Sequence, residues 1–208
     1  MEYYIYNIPV WLTQVPDAAV DVPAFCQEVE EIIPQALLRN VDVVYIGNFN
    51  ALKGKNAAYD HGAIYMSCFE PTNFDMLENF VHETAHALED TYGWQIYDDS
   101  LIKEFKGKRE RLYQLLKAAG FPVNHLLFKQ TEYNKKFDEY LAFEIGYGDL
   151  AAHTTGLFVT PYGATSIQEY FANGFERYFL DNPRIVRNTS PVLYRKIEEI
   201  INDDEAWT

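Results

Sequence analysis

Long hydrophobic runs are missing from this 208-residue sequence: every apolar stretch breaks within a few residues, well short of the ~20 that a membrane-spanning helix requires. No membrane partner is expected. Cysteine is scarce too: Cys26 and Cys68 are the whole complement and neither sits in a CxxC pair. That excludes a disulfide scaffold and leaves buried free thiols as the expectation. Positive charge is also in short supply. Seventeen Lys and Arg face 31 Asp and Glu, a net charge of −14, so the chain lacks the cations that displace counterions from phosphate, and nucleic acid is not an expected partner. The cluster from Lys103 to Arg111 is interleaved with Glu104 and Glu110 and reads as a solvated helix face. The opening Met1-Glu2-Tyr3-Tyr4-Ile5-Tyr6 has no basic segment, apolar stretch or small-residue cleavage site, which reads as a cytoplasmic start; virion association or leaderless export stays open.

Aromatic and aliphatic residues are plentiful. With 48% hydrophobic residues, 16 Tyr and 14 Phe, the chain can bury a sizeable core, and one domain over residues 1–208 is expected. Any division falls after residue 93, giving an α/β part (1–93) and a mainly helical part (94–208).

Val41 to Ile46 and Gly62 to Ser67 have β-branched or alternating character and read as strands, with residues 47–61 as the loop between them. Asp21-Val22-Pro23 opens a helix carrying Phe25, Val29, Ile32 and Ile33, which Pro34 ends. Thr72-Asn73-Phe74-Asp75 resembles a capping box, and Leu77, Val81, Ala85, Leu88 and Tyr92 follow at helical spacing, so a helix runs to about Gly93. Further helices are predicted over 101–119 and 132–145. A Gly- and Thr-rich loop follows over 146–163, with a short strand at Leu157-Phe158-Val159. Thr165 or Ser166 caps the next helix, which Asn182-Pro183 stops, and Thr189-Ser190-Pro191 opens the last.

The chemistry concentrates in His82-Glu83-Thr84-Ala85-His86. Two imidazoles one helical turn apart can reach a single Zn²⁺, and the carboxylate between them can reach a water on that metal. Such a site suits metal-assisted hydrolysis, with Glu83 as general base. Catalytic zinc takes a third protein ligand, and Glu169 in Glu169-Tyr170-Phe171-Ala172 is the candidate. Ser166-Ile167-Gln168-Glu169 is also a capping box, which offers Glu169 a purely structural role. A box one residue earlier, from Thr165 to Gln168, would free it for metal. Spacing alone does not choose between ligand and cap. His61, His125 and His153 have no ligand-like spacing, and the acidic runs Asp98-Asp99 and Asp203-Asp204-Glu205 read as a helix cap and a tail.

The HExxH residues 82–86, followed by Tyr162 and by Glu169-Tyr170-Phe171-Ala172, resemble the zinc metallopeptidase family of anthrax lethal factor and the clostridial Pro-Pro endopeptidases. The resemblance covers about residues 62–92 and 160–182. It implies that His82, His86 and Glu169 bind zinc, that Glu83 is the base, and that Tyr162 stabilises the oxyanion. Asn173 departs from the family, which often has a second Glu there, and the stretch between the motif helices is long. The expected fold is α+β and zincin-like, a small sheet whose edge strand 62–67 lies beside the HExxH helix, followed by a mainly helical part. The expected function is hydrolysis of peptide bonds in a peptide or protein substrate. The alternatives are a non-catalytic zinc-binding structural or interaction module of the same fold, and a metal-dependent hydrolase of non-peptide bonds.

Overall fold

A computed structural model of the protein describes residues 3–16, 20–50, 52 and 54–205. The fold is α+β, and the chain forms two compact units, Met1–Gly93 with Ile200–Thr208, and Trp94–Glu199.

The first unit is organised by a mixed sheet of β1 (Tyr3–Ile5), β2 (Ile8–Leu12), β3 (Val43–Gly47), β4 (Ala57–Asp60) and β5 (Ala63–Ser67), in the order β1-β2-β3-β5-β4. The β1–β2 hairpin is antiparallel, and it turns at Tyr6, whose φ of 54° lies in the left-handed region. β2 pairs with β3, and β3 with β5, in parallel. The helix α1 (Val22–Ile32) makes the first crossover, with the Asp21 carboxylate capping it through the Ala24 N–H. Its buried Phe25 meets Phe80 edge-to-face, with ring centroids 5.7 Å apart. Val44, Ile46, Ile64 and Met66 supply the sheet's fully buried layer.

The strand expected at the edge of this sheet lies inside it. β5 is paired on both sides, by β3 and by β4, and the outer strand is β4, within the segment read as loop. Ala57-Ala58-Tyr59-Asp60 has little β-branched character of its own. Its extended state comes from antiparallel pairing with β5 across a tight turn in which His61 (φ 45°) and Gly62 (φ 86°) both take left-handed conformations, as a two-residue hairpin of the right twist requires.

The helix α2 (Asn73–Ile96) starts with the expected cap: the Asp75 N–H donates to the Thr72 hydroxyl oxygen at 3.1 Å, and that hydroxyl donates back to the Asp75 carboxylate. It continues past Gly93 to Ile96, because an interior glycine costs a helix only about 1 kcal/mol and buried Ile96 extends the apolar stripe.

The second unit is helical: α3 (Asp99–Ala118), α4 (His125–Lys129), α5 (Lys135–Glu139) with a π-helical continuation over Tyr140–Gly146, α6 (Tyr147–Thr154), a 3₁₀ turn at Tyr162–Ala164, α7 (Ile167–Leu180), α8 (Pro183–Thr189) and α9 (Pro191–Glu205), whose last residues belong to the first unit. The loop expected over 146–163 holds α6, seated by fully buried Leu150, and Leu157-Phe158-Val159 forms no strand. Asn182-Pro183 ends α7 and also starts α8, the Asn182 side chain accepting from the Arg184 N–H. Asp98 caps α3, as its acidic run suggested. Asp203 and Glu205 lie within α9, which reaches Glu205.

Phe105, Phe158 and Tyr170 form the aromatic centre of this unit, with ring centroids 5.3–6.3 Å apart. α7 and α9 approach so closely at Gly174 that a Cβ there would come within 2.3 Å of Leu193. The basic cluster on α3 is divided: Lys103, Lys106 and Arg111 are exposed, as a solvated face predicts, but Lys108 and Arg109 are buried. Lys108 is buried and donates to the carbonyls of Leu157 and Thr189, both at 2.6 Å. Glu104 accepts from the Tyr170 hydroxyl and from the N–H groups of Val192 and Leu193, capping α9. Arg109 is 1% exposed, its guanidinium donating to the carbonyls of Ala164 (2.7 Å), Thr165 (3.2 Å) and Leu127 (2.6 Å) and lying 3.9 Å from the Phe137 ring centroid. Burial pushes the Arg109 pKa down to about 9 and that of Lys108 to about 8. Backbone carbonyls at helix ends and turns take most of their N–H groups, Arg109 Nε alone of the guanidinium nitrogens having no hydrogen-bond partner, and such a partnership leaves no pattern in sequence.

Cys26 and Cys68 are buried free thiols. Among the described residues, no helix is long and apolar enough to cross a membrane.

Candidate functional site

α2 carries the first group of predicted site residues. Its buried stripe of Met76, Leu77, Phe80, Val81, Ala85 and Leu88 faces the core, which leaves His82, Glu83 and His86 half-buried on its flank. The His82 and His86 rings lie 5.1 Å apart between centroids, one helical turn from each other. The hydroxyl of Thr84, on the buried side between them, donates to the Phe80 carbonyl at 2.9 Å.

Glu83 is anchored to the outer strand. Its Oε2 accepts the backbone N–H of Tyr59 at 2.7 Å. The Tyr59 phenol in turn donates to Asp90, two turns further along α2, at 2.5 Å, and accepts the Gly62 N–H at 3.0 Å. Burial, reinforced by the Asp90 bond, pushes the Tyr59 phenol up to about 12. Tyr59 therefore ties β4 to α2 through both its main chain and its side chain. The sequence reading missed it, since position 59 fell in the presumed loop.

Glu89 was missed as well. Its Oε1 lies 2.7 Å from His86 Nδ1, the two side chains being 20% and 22% exposed. The signal was an acid three residues beyond the second histidine, on the same helical face.

The second unit carries Tyr162 and Glu169. Ser166 is the N-cap of α7, its side chain accepting the Glu169 N–H at 3.1 Å. The earlier box does not form: the Thr165 hydroxyl donates to the Tyr162 carbonyl, and Gln168 donates to Glu132. Glu169 thus serves the cap through its main chain, and its carboxylate Oε1 accepts from the Tyr162 phenol at 3.4 Å. Burial, and then the charge of Glu169, raise the Tyr162 pKa, so the phenol keeps its proton as a donor.

Asn173, where the family resemblance leads one to expect Glu, joins the two parts of this segment. Its amide donates to the Glu169 carbonyl at 2.8 Å and accepts from the Thr160 hydroxyl, and Thr160 also accepts the Gly163 N–H at 3.2 Å. Arg109 holds the same turn from behind through Ala164 and Thr165. Tyr133 and Tyr147 stand close enough to feel the charges of Asp138 and Glu169, which add to burial in raising both phenol pKa values, Tyr133 to about 12. His61 pairs with Asp60 on the surface, His125 with Glu110, and His153 packs edge-on to Phe121.

Comparison of the chain with family models, with curated proteins and with solved structures finds no match in any of the three.

Proposed function

We propose that the chain is a zinc-dependent metallopeptidase in which His82, His86 and Glu169 hold the metal. The observation that carries this reading is the arrangement on α2: two half-buried imidazoles 5.1 Å apart with the Glu83 carboxylate between them in sequence and fixed by the outer strand. The donor set supports it, since two imidazoles and one carboxylate are a ligand combination that catalytic zinc uses with a fourth position left for water.

Bound zinc would supply Lewis acidity and a water acidified to a pKa near 7. Glu83 stands as the general base that would take a proton from a water held there and return it to the leaving amine. With Oε2 committed to the Tyr59 N–H, Oε1 is the oxygen left to take it. The Tyr162 phenol, protonated across the physiological range, donates to the substrate oxygen on which negative charge develops. β4 is the outer strand beside Glu83, which already takes its Tyr59 N–H, so an extended peptide pairing there has the remaining main-chain groups of β4 to bond.

The test is a set of zinc-loaded proteins offered a mixture of extended peptides, with products read by mass spectrometry. The wild type should cleave. Glu83→Gln should retain zinc and lose about 10²–10⁴-fold in rate. Glu169→Ala should lose zinc affinity with little loss of fold, because Ser166 caps α7 through a main-chain N–H that alanine keeps. A Glu169→Ala protein with wild-type zinc affinity would remove that residue from the ligand set. A zinc-loaded wild type that cleaves no peptide would favour one of the alternatives: a site that holds metal for stability, or hydrolysis of a non-peptide bond.

A further inference from the structure

Glu89 is assigned no role by the HExxH pattern, yet its carboxylate meets His86 directly: Oε1 to Nδ1, 2.7 Å, with both side chains about four-fifths buried. A neutral imidazole has one N–H and one lone pair. A carboxylate is an acceptor only, so at this distance it fixes the N–H at Nδ1 and leaves the lone pair at Nε2. The contact also stops the ring turning about χ2, since α2 holds both residues one turn apart on a rigid backbone.

We propose that Glu89 is a positioning residue for the metal: it holds His86 in the tautomer and orientation that present Nε2 as the ligand, and raises the basicity of that nitrogen. The inference rests on the zinc reading above and names a further residue on which it depends. Outer carboxylates of this kind change metal affinity by about 10–100-fold when removed, far more than an i,i+3 surface ion pair would.

Two measurements on chelator-stripped protein decide it. In the first, zinc alone is titrated against a chromophoric chelator into wild type, Glu89→Ala, Glu89→Gln and His86→Ala. Glu89→Ala should bind zinc about 10–100-fold more weakly at unchanged metal-free melting temperature, and Glu89→Gln, whose amide oxygen still accepts from Nδ1–H, should lose less. In the second, long-range ¹H–¹⁵N correlation spectra of the metal-free protein should show His86 protonated at Nδ1 in wild type and shifted toward Nε2–H in Glu89→Ala. Equal zinc affinity in wild type and Glu89→Ala, with His86→Ala strongly weakened, overturns the Glu89 role and leaves the zinc site standing. A wild type that takes up no zinc, or a His86→Ala protein that binds it normally, overturns the zinc reading and the Glu89 role together.

Discussion

The carboxylate of Glu83 accepts the backbone N–H of Tyr59 at 2.7 Å, so the acid of the HExxH motif is bonded to the main chain of the outer strand. That bond separates its structural from its chemical contribution. Glu83→Gln keeps an oxygen acceptor at the same reach and should unfold within about 0.5 kcal/mol of wild type, whereas Glu83→Ala strands the N–H and should cost about 1–2 kcal/mol. Urea unfolding of the three proteins checks this, and equal losses for Gln and Ala would mean that the bond contributes nothing.

Tyr162→Phe removes one hydroxyl beside Glu169. Zinc content and substrate affinity should stay near wild type while kcat falls about 10- to 1,000-fold, the range for loss of an oxyanion donor. A Phe variant turning over at the wild-type rate would retire the role.

Glu70 is 1% exposed and accepts from the amides of Asn79 (3.1 Å) and Asn56 (3.4 Å). Burial, with the Asp75 charge added, pushes its pKa up from 4.5 to about 7. A raised carboxyl pKa means that the folded state holds the proton more tightly. The resulting stability is complete below pH 4.5 and disappears as pH rises through 7. The sum is of the order of 3 kcal/mol. Glu70→Gln should flatten this part of the stability-versus-pH curve, measured by denaturant midpoints between pH 4 and 8. A variant as pH-sensitive as wild type would show that Glu70 is not the group responsible.

Arg109→Met leaves the carbonyls of Ala164, Thr165 and Leu127 without their donor. A loss of several kcal/mol is expected, because each buried carbonyl left without a donor costs about 1–3 kcal/mol, and Arg109→Lys should recover only part of it because one ammonium cannot reproduce the fork. Melting temperatures of the two variants give the comparison. A methionine variant as stable as wild type would show that the aromatic cage around Phe137 suffices.

Much of this was legible where local chemistry decides structure. The Thr72–Asp75 cap, the Asp21 cap of α1 and the spacing of His82 and His86 follow from side chains a few residues apart, and they are where the sequence put them. β4 was not legible, because Ala57 to Asp60 becomes a strand through its partner β5, not through its own propensity. The burial of Lys108 and Arg109 was hidden for a related reason: their partners are main-chain carbonyls 18 to 81 residues away, and every residue type carries one. Glu169 was ambiguous because one residue does both jobs with different atoms, its N–H in the cap and its carboxylate beside Tyr162.

The outer strand is four residues long and ends in a charged residue, Asp60, and one of its main-chain donors is already occupied by Glu83. Sheet edges are where copies of a protein zip together, and shortness, charge and a capped donor are the features that prevent it. The carboxylate given a catalytic role above thus also withdraws one donor from the sheet edge. A peptide strand entering along β4 would find that donor taken, and substitutions that shorten or remove Glu83 free it for a neighbouring molecule as well as for a substrate.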